Sequence, residues 1–223
     1  MRSSSCGCCR SRQPQRRWSA SPRTRDGSSC CRRRIARRIR SSSSPTRSRA
    51  VHAGVEQLIE ASRAQWTVLR PGVFALNSLG WWAPQIRSGD VVRWFYADAA
   101  TAPIHERDIA SVAACALTEE GHDGKDYVIT GPRSLTQREQ VHIIGDVIGR
   151  PLRLAELSRD AAREEMLAMM PGVVADMLLD AYAAAVDRPA HVTSTVGDVT
   201  GTPARSFRDW VVDHAAAFTA IPT

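Results

Sequence analysis

His52–Gly72 reads HAGVEQLIEASRAQWTVLRPG, and two structural signals meet in it. In the first half, Val55, Leu58, Ile59 and Ser62 recur at helical spacing while Glu56, Gln57 and Glu60 turn outward, which predicts an amphipathic helix over 52–62. The second half, Gln65–Leu69, is short, β-branched and apolar, and Arg70-Pro71-Gly72 stops it abruptly. That is the pattern of a buried strand. A helix passing through a short loop into such a strand is half of a βαβ unit, whose strands run parallel. The expected class is therefore α/β.

Downstream the pattern continues. Val73–Ile86 (VFALNSLGWWAPQI) is apolar and aromatic, predicting a helical or irregular segment, and a short extended pair follows around Val91–Tyr96. Ile104–Leu117 places Ile109, Val112, Ala113 and Ala116 at helical spacing, with Asp108 near the start to complement the helix dipole. Arg107 and Asp108 read as a salt-bridged helix start. The run DYVIT, 126–130, predicts a strand that turns at Gly131-Pro132. Thr136 and Glu139 then form the capping box T-x-x-E, opening a helix that runs to Ile148 and stops at Gly149. Pro151–Leu157 suggests a strand, Ser158–Ala185 two helices broken at Pro171-Gly172, and Phe207, Trp210, Val211 and His214 a last amphipathic helix. No internal repeat appears.

Upstream the chain changes character at residue 50. The 223 residues hold 30 Lys+Arg and 23 Asp+Glu, a net charge of +7. Fifteen of the Arg and the single acid Asp26 fall in 1–50, so that stretch carries +14 and the other 173 residues carry −7. An acidic domain repels phosphates, which leaves the arm alone as a route to nucleic acid. Residues 1–50 contain Arg and Ser and almost no aliphatic residue besides Ile35 and Ile39, so they cannot bury enough surface to offset chain entropy and are expected to be disordered. One reading is an RNA-binding or targeting arm. The other is a reading-frame error, since GC-rich coding sequence read out of frame yields Arg, Ser, Cys and Pro. With GC-rich codons chosen for Ser28–Ala50, the frame one nucleotide earlier reads VVLSSPHRTAHPFFQQPDPLAR, which contains a strand-like apolar run. The domain division that follows is 1–50 as an out-of-frame Arg/Ser-rich segment and 51–223 as the fold.

Five of the six cysteines (Cys6, Cys8, Cys9, Cys30 and Cys31) lie in the arm as adjacent residues or near neighbours and not as C-x-x-C knuckles, so neither a disulfide scaffold nor a zinc site is expected. Cys115 reads as a buried small hydrophobe. The histidines show no mutual spacing suited to a metal. With no long apolar segment and no apolar stretch near Met1, the expected compartment is the cytoplasm and no membrane partner is expected.

Taken in order, 51–223 shows H-x-x-V-E on a helix, W-T-V-L-R-P-G-V-F-x-x-N, I-x-E-R-D-I-A, Y-x-I-T-G-P, a helix ending V-I-G-R-P, and G-T-P-A-R-S-F-x-x-W. This series resembles the NmrA-like NAD(P)-binding proteins, a branch of the atypical short-chain dehydrogenases, over essentially all of Val51–Phe218. The V-V-L-S-S of the shifted frame resembles the family's fourth strand. The resemblance implies a partial Rossmann-type, doubly wound parallel sheet with a small C-terminal substrate-binding region, NADP or NAD as cofactor, and a small-molecule substrate. It also implies a Gly-rich turn to seat the pyrophosphate, and no G-x-x-G-x-x-G occurs here. As written, the chain would lack strands one to three of the sheet and is expected to be inactive. The oligomeric state stays open.

By that resemblance the loop Pro71, Gly72, Val73 and Phe74 lies against the nicotinamide half of the cofactor; by itself it is also a tight turn that ends a strand. Asn77 either orients cofactor or substrate or caps the next segment. His52 stands where related proteins carry a Lys, and could donate to a ribose hydroxyl. No Tyr-x-x-x-Lys pair is present, and Tyr96, Tyr127 and Tyr182 lie in unrelated segments, so no catalytic acid is assigned. Trp81 and Trp82, with Trp94 and Phe95, form either an aromatic wall of a substrate pocket or ordinary core packing. The intact protein is expected to reduce a small carbonyl or quinone with NAD(P)H. The alternatives are a non-catalytic dinucleotide-sensing regulator, and nucleic-acid binding through the arm.

Overall fold

In the computed structural model, which describes residues 36–39, 54–62 and 64–219, the first elements are β1 (Ala36–Ile39), α1 (54–60) and β2 (Trp66–Pro71). β2 is the strand read from QWTVL, and Thr67, Val68, Leu69 and Pro71 in it are buried. Such a run, apolar on both faces, suits the interior of a parallel sheet. β2 is flanked by β1 and by β5 (Lys125–Ile129), both parallel to it, in the order β1-β2-β5.

Two expectations for this region need correcting. Residues 1–50 are not wholly without structure, because Ala36–Ile39 pairs with β2 from Ala36↔Trp66 to Ile39↔Leu69. A buried strand needs partners for its backbone groups on both edges, and ladder bonding makes no demand on side-chain type. The rest of 1–50, and His52 with it, lies outside the described residues. In α1 the inward face is offset from the predicted one. Leu58 is 74% exposed, whereas Glu56 turns inward to meet Arg70 at 3.2 Å. Arg70 is also gripped by Asp126 of β5 at 2.6 Å, and these carboxylates, Asp126 foremost, hold its guanidinium above its ordinary range. The motif Arg thus clamps helix to sheet.

α4 (Glu106–Thr118) lies on this sheet, with Ile109 and Val112 packed among Leu69, Ile104 and Ile129 and joined by Val196 of α8 (Thr195–Thr200). His105 caps α4, its Nδ1 accepting the Arg107 N–H at 3.2 Å. The predicted Arg107–Asp108 bridge does not form. Arg107 pairs with Asp213 at 2.8 Å, and the buried Asp108 pairs with Arg205, both partners coming from the C-terminal segment that docks here. Cys115 is half-buried.

A second core gathers around α2 (Asn77–Trp81), α3 (Ala83–Ser88), β3 (Val91–Phe95), α5 (Gln137–Ile148) and α9 (Phe207–Thr219). Trp82, Phe95, Ile144, Trp210 and Phe218 in it are all 1% exposed or less. β3 is a single strand rather than an extended pair; its parallel partner is β7 (Arg153–Leu157), while β4 (Ala100–Thr101) pairs antiparallel with β6 (Leu135–Thr136). The capping box forms as read: Thr136 Oγ1 accepts the Glu139 N–H at 3.1 Å and the Thr136 N–H donates to Glu139 at 2.7 Å. Gly149 closes α5 at φ 70°, the left-handed cap that favours glycine. α6 (Arg159–Leu167) and α7 (Gly172–Ala183) break at Pro171-Gly172 as expected. Among the described residues no helix is long and apolar enough to cross a membrane.

Candidate functional site

Open parallel sheets bind ligands beyond the carboxyl ends of their strands. β2 and β5 end together, with Pro71 opposite Ile129, and the chain leaving β2 is held firmly. The Gly72 N–H donates to Ile129 O at 2.9 Å, the Ile104 N–H to Val73 O at 2.9 Å, and the Ala75 N–H to Ile104 O at 3.0 Å. Phe74 therefore sits in a bridge with Ile104 and packs on the sheet core. Next to it, the loop after β5 approaches so closely that a Cβ on Gly131 would stand 2.1 Å from Pro103 O; only glycine fits there.

Between these loops opens a cleft of about 430 Å³. Gly72 and Val73 line one side, Val128 and Thr130 another, and Tyr182 and His191 the rest, with alanines filling the gaps. The lining is mostly small and apolar, leaving room for a flat group beside the strand ends. His191 is exposed at the mouth. The segment carrying it is fastened on both sides: the Ala190 N–H donates to Ser134 Oγ at 2.8 Å, the Thr193 N–H to Thr130 Oγ1 at 2.9 Å, and Thr193 Oγ1 to Val128 O at 3.0 Å. Tyr182 is 4% exposed, its ring meets Phe95 edge-on at 5.3 Å, and its hydroxyl has no hydrogen-bond partner among the described residues. Burial pushes that hydroxyl well above the usual tyrosine range.

A hollow of similar size, about 410 Å³, lies at the opposite edge between Gln65–Thr67 and Glu119–Asp123. It is at the amino ends of the strands and is lined by polar and acidic groups already engaged in part: Asp123 accepts the Trp66 N–H at 3.0 Å. The chemistry of the fold points to the carboxyl edge instead.

The residues singled out from sequence divide among several places. Gly72 and Val73 line the cleft; Pro71 is buried at the end of β2, and Phe74 packs beneath. Asn77 opens α2 without capping it, since no side-chain cap bond forms there. Trp81 does not reach the cleft. It lines a separate groove of about 470 Å³ with Trp94, Phe95, Met166 and Met169, its ring 5.2 Å from that of Trp94. Trp82 is fully buried, so its indole serves packing, edge-on to Trp94 at 5.8 Å. Tyr182, set apart by its place in the sequence, is brought to the cleft by the end of α7, where the Ala100 N–H donates to Ala185 O at 3.2 Å. Thr130 could have been found by the strand-end rule applied to Y-x-I-T-G-P; nothing in the sequence marked Tyr182 or His191.

No family model matches the chain. Over 164 residues it is 46% identical to the (4-alkanoyl-5-oxo-2,5-dihydrofuran-3-yl)methyl phosphate reductase of Streptomyces griseus, covering 73% of this chain and 58% of that protein. Over 167 residues it is 37% identical to the NAD(P)H azoreductase of Xenophilus azovorans, covering 74% and 58%. The chain thus spans less than two thirds of the length of the curated relatives it matches. Among solved structures, an NADPH-dependent quinone oxidoreductase of Escherichia coli superposes with a TM-score of 0.65 at 23% identity, covering 81% of this chain and 67% of that one. A Citrobacter triphenylmethane reductase complexed with NADP(H) does so at 0.65 and 18%, covering 80% and 65%. These two relatives are reductases by name, and the structural likeness shows a Rossmann-like α/β fold shared with NAD(P)H-dependent reductases.

Proposed function

We propose that this protein belongs to an NAD(P)H-dependent reductase of the NmrA-like type, acting on a small carbonyl or quinone substrate in the cleft beyond β2 and β5. The observation that carries this reading is a hollow of about 430 Å³, walled by small residues, at the joint carboxyl ends of two parallel strands. A flat ring fits between Gly72-Val73 and Val128-Thr130, and the chain of hydrogen bonds through Gly72, Val73 and Ala75 keeps that wall from shifting. The fit covers the nicotinamide half alone. Pyrophosphate calls for backbone N–H groups at a Gly-rich helix start, and among the described residues the turn that leaves β2 leads into a helix of five residues. His52 remains the candidate for a ribose hydroxyl, and Asn77 for orienting cofactor or substrate.

When bound, a reduced nicotinamide supplies a hydride. The residues of this chain hold the ring against the strand ends, keep bulk water from its face with alanine and valine side chains, and present hydroxyl and imidazole groups to the substrate. The relatives' reductive chemistry supports the reading. Its test is oxidation of NADPH or NADH by the protein with 1,4-naphthoquinone and a series of small ketones. Turnover is expected with at least one pair from the protein with its reading frame restored upstream of codon 51, and none from the chain as written; dinucleotide binding by the restored protein without any turnover would replace the reductase by a non-catalytic sensing regulator.

Residues 1–50 enter this proposal as a segment read out of frame relative to 51–223, supported by their Arg, Ser and Cys composition and by the change of charge at residue 50. The nucleotide sequence upstream of codon 60, read in three frames, tests it. A Gly-rich strand-turn-helix running into V-V-L-S-S is expected. If no such frame exists, the arm is real, and salt-sensitive nucleic-acid binding lost on deleting 1–50 becomes the leading function.

A further inference from the structure

We infer that His191 is the proton donor of the cleft, delivering to the substrate's oxygen the proton that accompanies the hydride. The inference rests on the reductase reading above. Reduction of a carbonyl needs both: a C–H bond forms with the two electrons of the hydride, the C=O π pair moves onto oxygen, and an O–H bond forms with a proton taken from a nearby acid. The imidazolium of His191 would lose that proton, become neutral, and regain it from water, while the reduced nicotinamide leaves oxidised.

Four observations single out this residue. The cleft walls from the turn after β2 (Gly72, Val73), from 100–102 and from the end of β5 and the residue after it (Val128, Thr130) offer no titratable side chain. α7 offers Tyr182, whose proton burial retains, so it can hydrogen-bond to a ligand but gives up a proton poorly. His191 makes no hydrogen bond or ion pair to another described residue, which leaves both ring nitrogens for solvent and ligand. The backbone on either side of it is pinned to Ser134, Thr130 and Val128, so the ring stands at the mouth without an entropic penalty of loop ordering. The charged groups nearest in sequence, Asp187 and Arg188, are exposed on the same loop; Asp98, near β4, is engaged by Arg138 at 3.2 Å. Histidine is the side chain that exchanges a proton with water near neutrality, and a mouth position lets it do so between turnovers.

The test uses the protein with its reading frame restored upstream of codon 51 and its variants His191→Ala and His191→Gln, assayed for NADPH oxidation with the series of small ketones across pH. Because His191 is exposed, both variants are expected to keep the wild-type melting temperature. Both should lose about 10²-fold to 10³-fold in kcat/KM, and the pH dependence of the wild-type rate should flatten in both. Glutamine, which can hydrogen-bond but not release a proton, should rescue nothing. A second readout needs no turnover: the His191 ring signal in a proton NMR spectrum should shift on adding 1,4-naphthoquinone. Wild-type activity with unchanged rates and pH profile in both variants overturns this inference and leaves the reductase reading standing. A frame-restored protein that oxidises no NADPH with any ketone or with 1,4-naphthoquinone, and whose His191 signal ignores the quinone, overturns both.

Discussion

Replacing Tyr182 with Phe should make the ligand-free protein more stable, which is the reverse of most core substitutions. The Tyr182 hydroxyl is buried and has no partner among the described residues, while the ring is held edge-on to Phe95 at 5.3 Å. A buried hydroxyl left without a hydrogen bond costs about 1–3 kcal/mol of desolvation, and Phe removes that cost while keeping the ring. Taking about 1 kcal/mol as the gain, the melting temperature should rise by about 2–4 °C for a domain of this size. The alkaline limb gives an independent check. Burial raises the folded hydroxyl's pKa above its unfolded value of about 10, so the stability tied to its protonation is full below that pH and is lost as pH rises past it. The Phe variant should show a shallower alkaline decline. If the hydroxyl serves a ligand in the cleft, the same variant should bind 1,4-naphthoquinone or NADPH more weakly, so free and bound proteins respond with opposite sign. Thermal unfolding by circular dichroism, with and without ligand, measures both. A melting temperature several degrees lower in the free variant would mean that the hydroxyl already has a partner, against the expected gain.

Three further outcomes follow from the geometry. Asp108→Asn should cost about 2 kcal/mol, less than the full price of a buried pair because Arg205 is 38% exposed, and should loosen the C-terminal helix first, read as faster amide exchange in α9. Gly131→Ala forces a Cβ to within 2.1 Å of Pro103 O, so the two loops must part; about 1–3 kcal/mol of stability should be lost in urea unfolding. Asp209 accepts hydrogen bonds from the Ser206 hydroxyl and N–H, which hold its carboxyl below the usual range. The stability this provides is present above pH of about 4 and is lost as pH falls through the lowered value, so Ser206→Ala should flatten the acid end of the stability profile.

What could be read from sequence was what is local. The T-x-x-E box, the glycine at 149 and the Pro171-Gly172 break each act within a few residues, and each ends or starts a helix where expected. QWTVL announced a buried strand because its apolar run needs no partner to be recognised. Pairings between distant segments were not legible. Nothing in VVRWF names Arg153–Leu157 as its neighbour, and Asp108 gives no hint that Arg205, rather than the adjacent Arg107, will meet it. The same limit separates Trp81 from Trp82: they are adjacent in sequence, yet one borders a groove and the other is sealed in the core. The cleft suffered most, since Gly72, Thr130, Tyr182 and His191 come from four stretches that only the folded chain brings together.

On the reductase proposal, the nicotinamide half of a dinucleotide occupies the cleft beyond β2 and β5. The most direct measurement is an NMR titration of the isotope-labelled protein with NADPH, following backbone and methyl signals. Shifts concentrated on Gly72, Val73, Val128, Thr130 and His191 are expected, with the Trp81 groove and the Glu119–Asp123 hollow unmoved. Shifts centred on either of those other sites, or none at saturating NADPH, would contradict it.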